Sequence, residues 1–190
     1  KPKAAINHPN WKMGNKISID SATMINKVFE VIEAQRIFNI DLKKFKILIH
    51  PKSYVHAIIK FNNGLTKILV HDTDMKIPIF NSLYSKNSKK INSKKLNINL
   101  LNNLNFIKPD NKRYPSLNIL KLIDKKNSLY ETVLVSANDE LVEMFQCNKI
   151  TFIDIVKKLN KILRMKIFRK FKNKRPKNYK ELIKLSNFVR

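Results

Sequence analysis

The sequence predicts an α+β protein in which a loop and an amphipathic helix precede a small, mainly antiparallel sheet, followed by a helical bundle. Three observations support this fold class. Apolar residues recur at helical spacing near the start of the chain and again from Tyr114 onwards. Between these parts, short segments rich in isoleucine, valine and aromatic residues flank a hairpin signal at residues 62–64. The apolar fraction of 43% over 190 residues is sufficient for a buried core.

The front of the chain, residues 8–19, is predicted to form a loop that ends in an extended piece at 16–19. Asp20 or Ser21 is the predicted N-cap of the next helix, because either side-chain oxygen can accept a hydrogen bond from a first-turn amide. The helix is expected to run to about Phe38. Its buried face is predicted from helical spacing and comprises Ile25, Val28, Phe29 and Ile32.

Strands are predicted at residues 45–50, 54–61 and 65–70, which are rich in β-branched and aromatic residues. Between the last two, Asn63 and Gly64 can supply the positive φ angles of a tight primed turn. These segments predict the small antiparallel sheet.

Helices are predicted for the second half of the chain. The first begins at Pro115, where the missing amide costs nothing, and three more are expected at residues 129–146, 151–168 and 176–188, the second of them opened by a capping box. Short connections between helices predict an antiparallel bundle. The chain is therefore expected to divide into a region with the candidate site, a polar linker and a helical bundle, at residues 1–84, 85–113 and 114–190.

The net charge of +25 and the pI near 10.2 are typical of proteins that bind nucleic acid or an anionic surface. The lysines are nevertheless spread along the chain and are not gathered in one arm with interleaved aromatic residues, which favours a solvated surface. A basic nucleic-acid-binding module and a helical interaction domain stay as alternatives, although neither nucleic acid nor a membrane is an expected partner. Cys147 is the only cysteine, which excludes an intramolecular disulfide and a cysteine-based metal site.

A candidate ligand site lies on the first predicted helix, where Asn26, Glu30 and Glu33 fall within about 60° of one another. The Ser21 hydroxyl beside unpaired amides at the helix start, together with the Asn26 amide and the Lys27 ammonium, suits a phosphate or other anion. Glu30 could bind a hard divalent cation such as Mg²⁺ or Mn²⁺. The alternative is that these residues form only the solvated face of an amphipathic helix.

The loop before this helix favours a ligand. Trp11 is the only tryptophan, and Gly14 is one of two glycines, the other being Gly64 of the hairpin. Gly14 is expected to be needed for a positive φ or for close approach of a ligand. With His8 and Met13 these residues predict a flap over the site, the alternative being a loop whose tryptophan packs on the core.

The segment "HPNWKMGNKISIDSATMINKVFEVIEA", residues 8–34, resembles the active-site flap and following helix of 1-deoxy-D-xylulose 5-phosphate reductoisomerase. That family is NADPH- and divalent-metal-dependent and belongs to non-mevalonate isoprenoid synthesis. The similarity continues through "LIHPKSYVHAIIKF", "DMKIPI" and "RYPSLNILKL", and more weakly through "SANDELVEMF".

The resemblance implies a role for each motif residue. Substrate contacts would come from His8, Trp11, Met13, Ser21, Asn26, Lys27 and Glu30. Lys27 and Glu30 would be catalytic, Glu30 being the last carboxylate ligand of Mg²⁺ or Mn²⁺, with Glu33 as a supporting neighbour. NADPH would lie beside Gly14 and Met75. His56 lies in a family motif as a weaker catalytic candidate, and His50 is expected to be structural.

The resemblance also implies the reaction. The metal chelates the carbonyl and hydroxyl oxygens of a phosphorylated sugar during a retro-aldol/aldol rearrangement, and NADPH then reduces the aldehyde to give 2-C-methyl-D-erythritol 4-phosphate. In the family, a Rossmann-type NADPH domain comes first and two further metal carboxylates precede the flap. Neither feature is found in this chain. Its two glycines cannot form the G-x-G-x-x-G motif of a Rossmann-type domain.

The chain is therefore expected to be the C-terminal part of a longer enzyme and to be inactive alone. The resemblance further implies a homodimer, located in the cytoplasm of a bacterium or in a plastid, including a relict plastid, of a eukaryote. The basic tail from Phe168 onwards departs from the family pattern.

Overall fold

The structure is a computed structural model that describes residues 2–6, 13–84 and 89–190. It is mainly helical with one two-stranded antiparallel sheet, which confirms the predicted fold class. The helices are α1 (Pro2–Ile6), α2 (Asn15–Ala22), α3 (Ile25–Phe38), α4 (Lys76–Leu83), α5 (Ile98–Asn102), α6 (Leu129–Gln146), α7 (Phe152–Arg164), α8 (Lys166–Arg169) and α9 (Tyr179–Val189). The strands are β1 (Val55–Lys60) and β2 (Thr66–Val70), and 3₁₀ helices span Leu42–Lys44 and Pro115–Leu122.

The described residues form two compact units. The larger contains residues 2–6, Met13–Ile47 and Pro109–Arg190, and the smaller contains Leu48–Lys108 apart from 85–88. The predicted regions follow the order of the chain, whereas these units do not, because α2 and α3 pack with the helices of the second half.

The core of the larger unit lies where α3 and α6 pack with their neighbouring helices. Ile25 and Val28 are fully buried, Ile32 is 8% exposed, and Phe29 is partly buried against the core, which confirms the predicted apolar face of α3. Helix α6 packs against α7 and α9, as expected for a small bundle. The predicted capping box of α7 is present, since the side chains of Thr151 and Asp154 bond to each other's backbone amides.

The prediction of an extended piece at residues 16–19 is wrong, because these residues lie in α2. The alternation of Ile17 and Ile19 favours a strand, but only Ile19 is buried, at 0% exposure, and Ile17 is 40% exposed. Lys16 and Asp20 form an ion pair of 2.8 Å at helical i, i+4 spacing, which stabilises α2. Tertiary burial thus outweighs the local pattern.

The predicted N-cap at Asp20 or Ser21 is also wrong, because both residues belong to α2. The residue before α3 is Met24, whose φ of 61° and ψ of 10° are left-handed. Two helices, α2 and α3, are therefore present in place of the single helix that was expected. Residues 23–24 connect them in a tight turn, the joint between α2 and α3.

The strand predicted at 45–50 is reduced to a single bridge, in which the backbones of Ile49 and Ile107 exchange hydrogen bonds of 2.8 and 2.9 Å. A strand needs a partner along its whole length, and a 3₁₀ helix immediately precedes this segment. The predicted hairpin is confirmed, with Ile58 paired to Ile68. Its turn differs from the expected primed form, because among residues 62–64 only Gly64, at φ +87°, has a positive φ.

One helix differs from prediction in its type and two differ in a boundary. The helix that begins at Pro115 is of the 3₁₀ type. The helix expected to reach Phe168 ends at Arg164, since Met165 is extended at ψ 136°. The last helix begins at Tyr179 behind an Asn178 cap, and not at Pro176. Within the described residues, no helix combines the length and the apolarity that a bilayer span requires.

Candidate functional site

The candidate site is built on the joint between α2 and α3. The Thr23 hydroxyl, directly after α2, donates to the carbonyl oxygens of Ile19 at 3.0 Å and Asp20 at 3.1 Å in the last turn of that helix. Met24 then turns the chain in the left-handed conformation, and the Val28 amide donates to its carbonyl at 3.3 Å. The first turn of α3 starts directly after this joint.

The predicted residues Asn26, Lys27 and Glu30 come together on the first two turns of α3. Asn26 Nδ2 donates to Glu30 Oε1 at 2.7 Å, and Lys27 Nζ donates to Glu30 Oε2 at 2.7 Å. The side chains of Lys27 and Glu30 are 41% and 46% exposed, so an incoming ligand can reach them. The arrangement places one carboxylate between two donors that could bind phosphate or hydroxyl oxygens.

Glu30 could supply one oxygen ligand to a divalent cation. Among residues 2–6, 13–84 and 89–190, no group of three or more His, Cys, Asp or Glu side chains is placed to hold a metal. Glu33, nearly one turn further along α3, is exposed. The described part of the chain therefore fits a cation only as the donor of a partial ligand set.

Ser21 lies in the last turn of α2, and not at the start of a helix as predicted. The prediction that its hydroxyl stands beside the unpaired amides of its own helix start is wrong, because the first-turn amides after the joint are those of residues 25–27. Along the chain, Ser21 thus precedes Met24 and the cluster on α3 follows it.

Gly14 precedes α2 with φ −63° and ψ 158°, so the expectation of a positive φ is wrong. A Cβ at this position would meet nothing within 4 Å. Its carbonyl accepts hydrogen bonds of 3.1 Å from both the amide and the hydroxyl of Ser18. The other expectation for Gly14, that it allows a ligand to approach the backbone closely, stays a prediction.

The remaining predicted residues are dispersed. His8 and Trp11 lie outside the described residues, and Met13 is half-buried before α2. Met75, 50% exposed, directly precedes α4 in the smaller unit. In that unit also, His50 Nδ1 lies 2.9 Å from the Asn105 carbonyl, and the His56 ring stacks on His71 at 3.6 Å between centroids.

The contacts of four polar residues beside the joint, Lys16, Asp20, Ser116 and Asn138, were not predicted from the sequence. Asp20, 2% exposed, accepts a hydrogen bond of 2.8 Å from the fully buried Asn138 amide on α6. Burial lowers the pKa of Lys16, but its hydrogen bonds and ion pairs with Asp20 and Asp139 outweigh burial and raise that pKa above its usual value. The Ser116 hydroxyl donates to the Thr23 carbonyl at 2.6 Å.

The sequence contained one signal for two of these residues. Ser116 and Asn138 lie in the segments "RYPSLNILKL" and "SANDELVEMF" that carry the resemblance. Their contacts, however, span 93 and 118 residues, a separation that spacing along one helix cannot indicate.

Comparison with protein families matches residues 71–190 to the DXP reductoisomerase C-terminal domain, and residues 1–38 to the 1-deoxy-D-xylulose 5-phosphate reductoisomerase C-terminal domain. The chain is 57% identical to the 1-deoxy-D-xylulose 5-phosphate reductoisomerase of Pelagibacter ubique over 187 residues, which cover 98% of this chain and 48% of that protein. It is 39% identical to the enzyme of the same name from Persephonella marina over 182 residues, covering 96% and 48%. The chain spans about half the length of the curated relatives it matches.

Solved structures are also similar. The chain superposes with a TM-score of 0.85 and 32% identity on 1-deoxy-D-xylulose 5-phosphate reductoisomerase from Zymomonas mobilis in complex with NADPH, over 100% of this chain and 48% of that one. A DOX-P reductoisomerase in complex with NADPH, fosmidomycin and magnesium gives a TM-score of 0.87 and 31% identity over the same shares of the two chains.

Proposed function

The chain belongs to the DXP reductoisomerase C-terminal domain family, and from this premise we propose that the protein carrying it is a 1-deoxy-D-xylulose 5-phosphate reductoisomerase. The reaction would rearrange 1-deoxy-D-xylulose 5-phosphate and reduce the product to 2-C-methyl-D-erythritol 4-phosphate. The observation that carries the proposal is the cluster of Asn26, Lys27 and Glu30, in which a half-exposed carboxylate lies 2.7 Å from each of two donors.

The cluster would bind the phosphorylated substrate through complementary groups. Lys27 would neutralise negative charge, while the Asn26 amide and the Ser21 hydroxyl would donate hydrogen bonds to phosphate oxygens. The first-turn amides of α3 add donors and the positive end of the helix dipole. In the proposal, His8, Trp11 and Met13 cover the substrate as a flap and exclude water.

The proposed cofactors are NADPH and a divalent cation, either Mg²⁺ or Mn²⁺. When bound, NADPH supplies a hydride and the cation polarises the substrate's oxygens. Glu30 would release its hydrogen bonds to Lys27 and Asn26 and hold the cation, freeing both donors for the substrate. Sequence outside this chain would supply the remaining ligands and most of the NADPH site, while Gly14 and Met75 would border the NADPH.

The test is metal-dependent oxidation of NADPH by the full-length protein that carries this chain. We expect Glu30→Gln to lower the rate by several orders of magnitude, on the order of 10³-fold, because the neutral amide is a poor cation ligand. Glu143→Gln on α6, an exposed position, is the matched control and should leave the rate unchanged. Full activity of Glu30→Gln, with an unchanged circular dichroism spectrum, would contradict the site.

We also propose that the protein is a homodimer and that the hairpin takes part in its interface. Both faces of the hairpin expose apolar side chains, since Ile58 and Ile68 are 43% and 47% exposed, and Ile59 and Leu69 are 49% and 55% exposed. An isolated two-stranded sheet is marginally stable in water, so a second copy would cover it. Light scattering tests this with Ile68→Glu and Leu69→Glu, expected to give monomers, and with Ile153→Glu on α7, where the replaced isoleucine is 77% exposed, as the control that stays dimeric.

The compartment is the last part of the proposal. The curated relatives named above come from bacteria, which supports the cytoplasmic alternative over a plastid.

A further inference from the structure

The joint between α2 and α3 contains an unfavourable backbone conformation. Met24 has φ 61° and ψ 10°, which residues other than glycine and asparagine seldom adopt. Such a conformation persists only where surrounding contacts impose it. The side chain of Met24 is buried, and Thr23 beside it is 4% exposed, so the surrounding contacts are internal to the protein.

The first of these contacts comes from the 3₁₀ helix Pro115–Leu122. The Ser116 hydroxyl donates to the carbonyl of Thr23 at 2.6 Å, and Ser116 is fully buried. This carbonyl belongs to the peptide group that joins Thr23 to Met24. The hydrogen bond therefore fixes the orientation of the peptide plane at which the chain turns from α2 into α3.

The second contact comes from α6. Asn138 Nδ2 donates to Asp20 Oδ1 at 2.8 Å, and the other oxygen of Asp20 accepts from Lys16 Nζ at 2.8 Å. Asn138 is 0% and Asp20 2% exposed, so neither loses its partner to water. Asp20 directly precedes Ser21, and this contact anchors the last turn of α2 to the core.

We propose that Ser116 and Asn138 are positioning residues of the substrate site: they hold the joint at Met24 and thereby set Ser21 against the Asn26–Lys27–Glu30 cluster. The inference rests on the proposed function, because in that function Ser21, which precedes the joint, and the cluster, which follows it, bind the same phosphorylated ligand. Both positioning residues are fully buried, and each acts through the backbone or side chain that it holds. A misplacement of about 1 Å between such groups can lower a rate on the order of 100-fold.

The experiment measures kcat and KM for 1-deoxy-D-xylulose 5-phosphate and for NADPH in the full-length protein, together with the thermal unfolding midpoint. Ser116→Ala removes one buried hydroxyl. Ser136→Ala on α6 is the matched control, because Ser136 is 3% exposed and donates one hydrogen bond of 2.9 Å to Ser186, in a contact with α9 that does not involve the joint. We expect Ser116→Ala to lower kcat/KM for the sugar phosphate about tenfold or more, and Ser136→Ala to leave it unchanged at a similar unfolding midpoint.

Asn138→Asp is a second variant that keeps the side-chain volume. It places a carboxylate against Asp20, and the pair can regain its hydrogen bond only by sharing a proton. The charged groups around this pair are Lys16, which forms ion pairs with Asp20 and Asp139, and Arg190, which forms an ion pair with Asp139; all of them are unchanged in the variant. Relative to the wild type, its kcat/KM for the sugar phosphate should therefore recover as the pH is lowered, while its KM for NADPH stays near the wild-type value.

Equal losses of kcat/KM in Ser116→Ala and Ser136→Ala, or wild-type kinetics in Ser116→Ala and Asn138→Asp, would overturn the positioning role alone. A wild-type protein without turnover would overturn the proposed function and this inference with it. A loss confined to Ser116→Ala and Asn138→Asp, with the pH-dependent recovery, supports the inference.

Discussion

The guanidinium of Arg36 on α3 donates a hydrogen bond to the carboxylate of Glu131 on α6, and the same carboxylate caps the start of α6. The Ser128 amide donates to Glu131 Oε2 at 3.0 Å, while Arg36 bonds Oε1. Arg36 also donates to the Asp124 carbonyl at 2.9 Å and to the Lys125 carbonyl. One side chain at the end of α3 thus joins the helix that carries the candidate site to the first turn of the bundle.

Replacement of Arg36 should therefore destabilise the larger unit. We expect Arg36→Met, which keeps the apolar stem, to lower the free energy of unfolding by about 2 kcal/mol, because Glu131 and two carbonyls lose a charged donor. The side chains of Arg36 and Glu131 are only 16% and 21% exposed, so water replaces the donor incompletely. Urea unfolding followed by circular dichroism measures the change.

The control for this prediction is Arg113→Met. Arg113 is exposed and lies beside the Tyr114 ring, 5.4 Å from its centroid. The Arg113→Met substitution should change the free energy of unfolding by less than about 0.5 kcal/mol. Equal effects of the two variants would show that the Arg36 contacts contribute no more than a surface charge.

The hairpin turn gives a second prediction. Gly64 has φ +87°, so Gly64→Ala should strain the turn although its Cβ would meet nothing within 4 Å. We expect the hairpin to lose about 1 kcal/mol, equivalent to about fivefold faster hydrogen exchange of the amides in β1 and β2. Gly14→Ala, at φ −63°, is the control and should leave those exchange rates unchanged. Unchanged exchange in Gly64→Ala would argue against the left-handed turn.

The capping box of α7 predicts a loss of stability in acid. Hydrogen bonds to Asp154 from the side chain of Thr151 at 2.7 Å and from its amide at 3.0 Å lower the pKa of the Asp154 carboxyl below its usual value. Since the folded pKa is lowered, the stabilising contribution is present above the unfolded pKa of about 3.9 and is lost as the pH falls through the folded pKa.

The measurement is the free energy of unfolding of the wild type and of Asp154→Asn between pH 6 and pH 2. The wild type should be the more stable at pH 6, and the difference should shrink below about pH 4. Thr151→Ala removes the side-chain donor and should show the same weakened dependence on pH. A difference that stays constant down to pH 2 would contradict the role of the capping box.

Local patterns predicted the elements that local interactions determine. Helix α6 and the end of α3 were placed correctly, since apolar spacing along each helix marks its length. The spacing of Asn26 and Glu30 along one helix likewise predicted that they lie on one face, and their contact of 2.7 Å agrees with this.

The features that long-range contacts determine were not predictable in this way. The helical state of α2 depends on the burial of Ile19 and on the bond from Asn138 to Asp20, across 118 residues. The break at Met24 depends on Ser116 in the same manner, and the local sequence contains no glycine to mark it. The flap that was predicted from His8, Trp11, Met13 and Gly14 stays a prediction, since His8 and Trp11 lie outside the described residues.

The last prediction concerns Tyr130, which is 1% exposed in the core of the bundle. Its hydroxyl donates to the Leu163 carbonyl at 2.5 Å, joining α6 to the end of α7. Burial raises the pKa of Tyr130 above its usual value, although the positive charges of Arg169 and Arg164 lower it in part. Because the folded pKa is raised, the stabilising contribution is complete below the unfolded pKa of about 10 and is lost as the pH rises through the folded pKa.

Tyr130→Phe should therefore be less stable than the wild type by about 1 kcal/mol at pH 8, because the Leu163 carbonyl loses its donor. Above about pH 10 the wild type alone must keep a buried phenol protonated, so the difference should shrink. Guanidinium unfolding at pH 8 to 11 measures the wild type and Tyr130→Phe, with Tyr179→Phe, in which the replaced tyrosine is 67% exposed, as the control. A difference between wild type and Tyr130→Phe that is constant across this range would show that the phenol ionises as readily in the folded protein as in the unfolded chain.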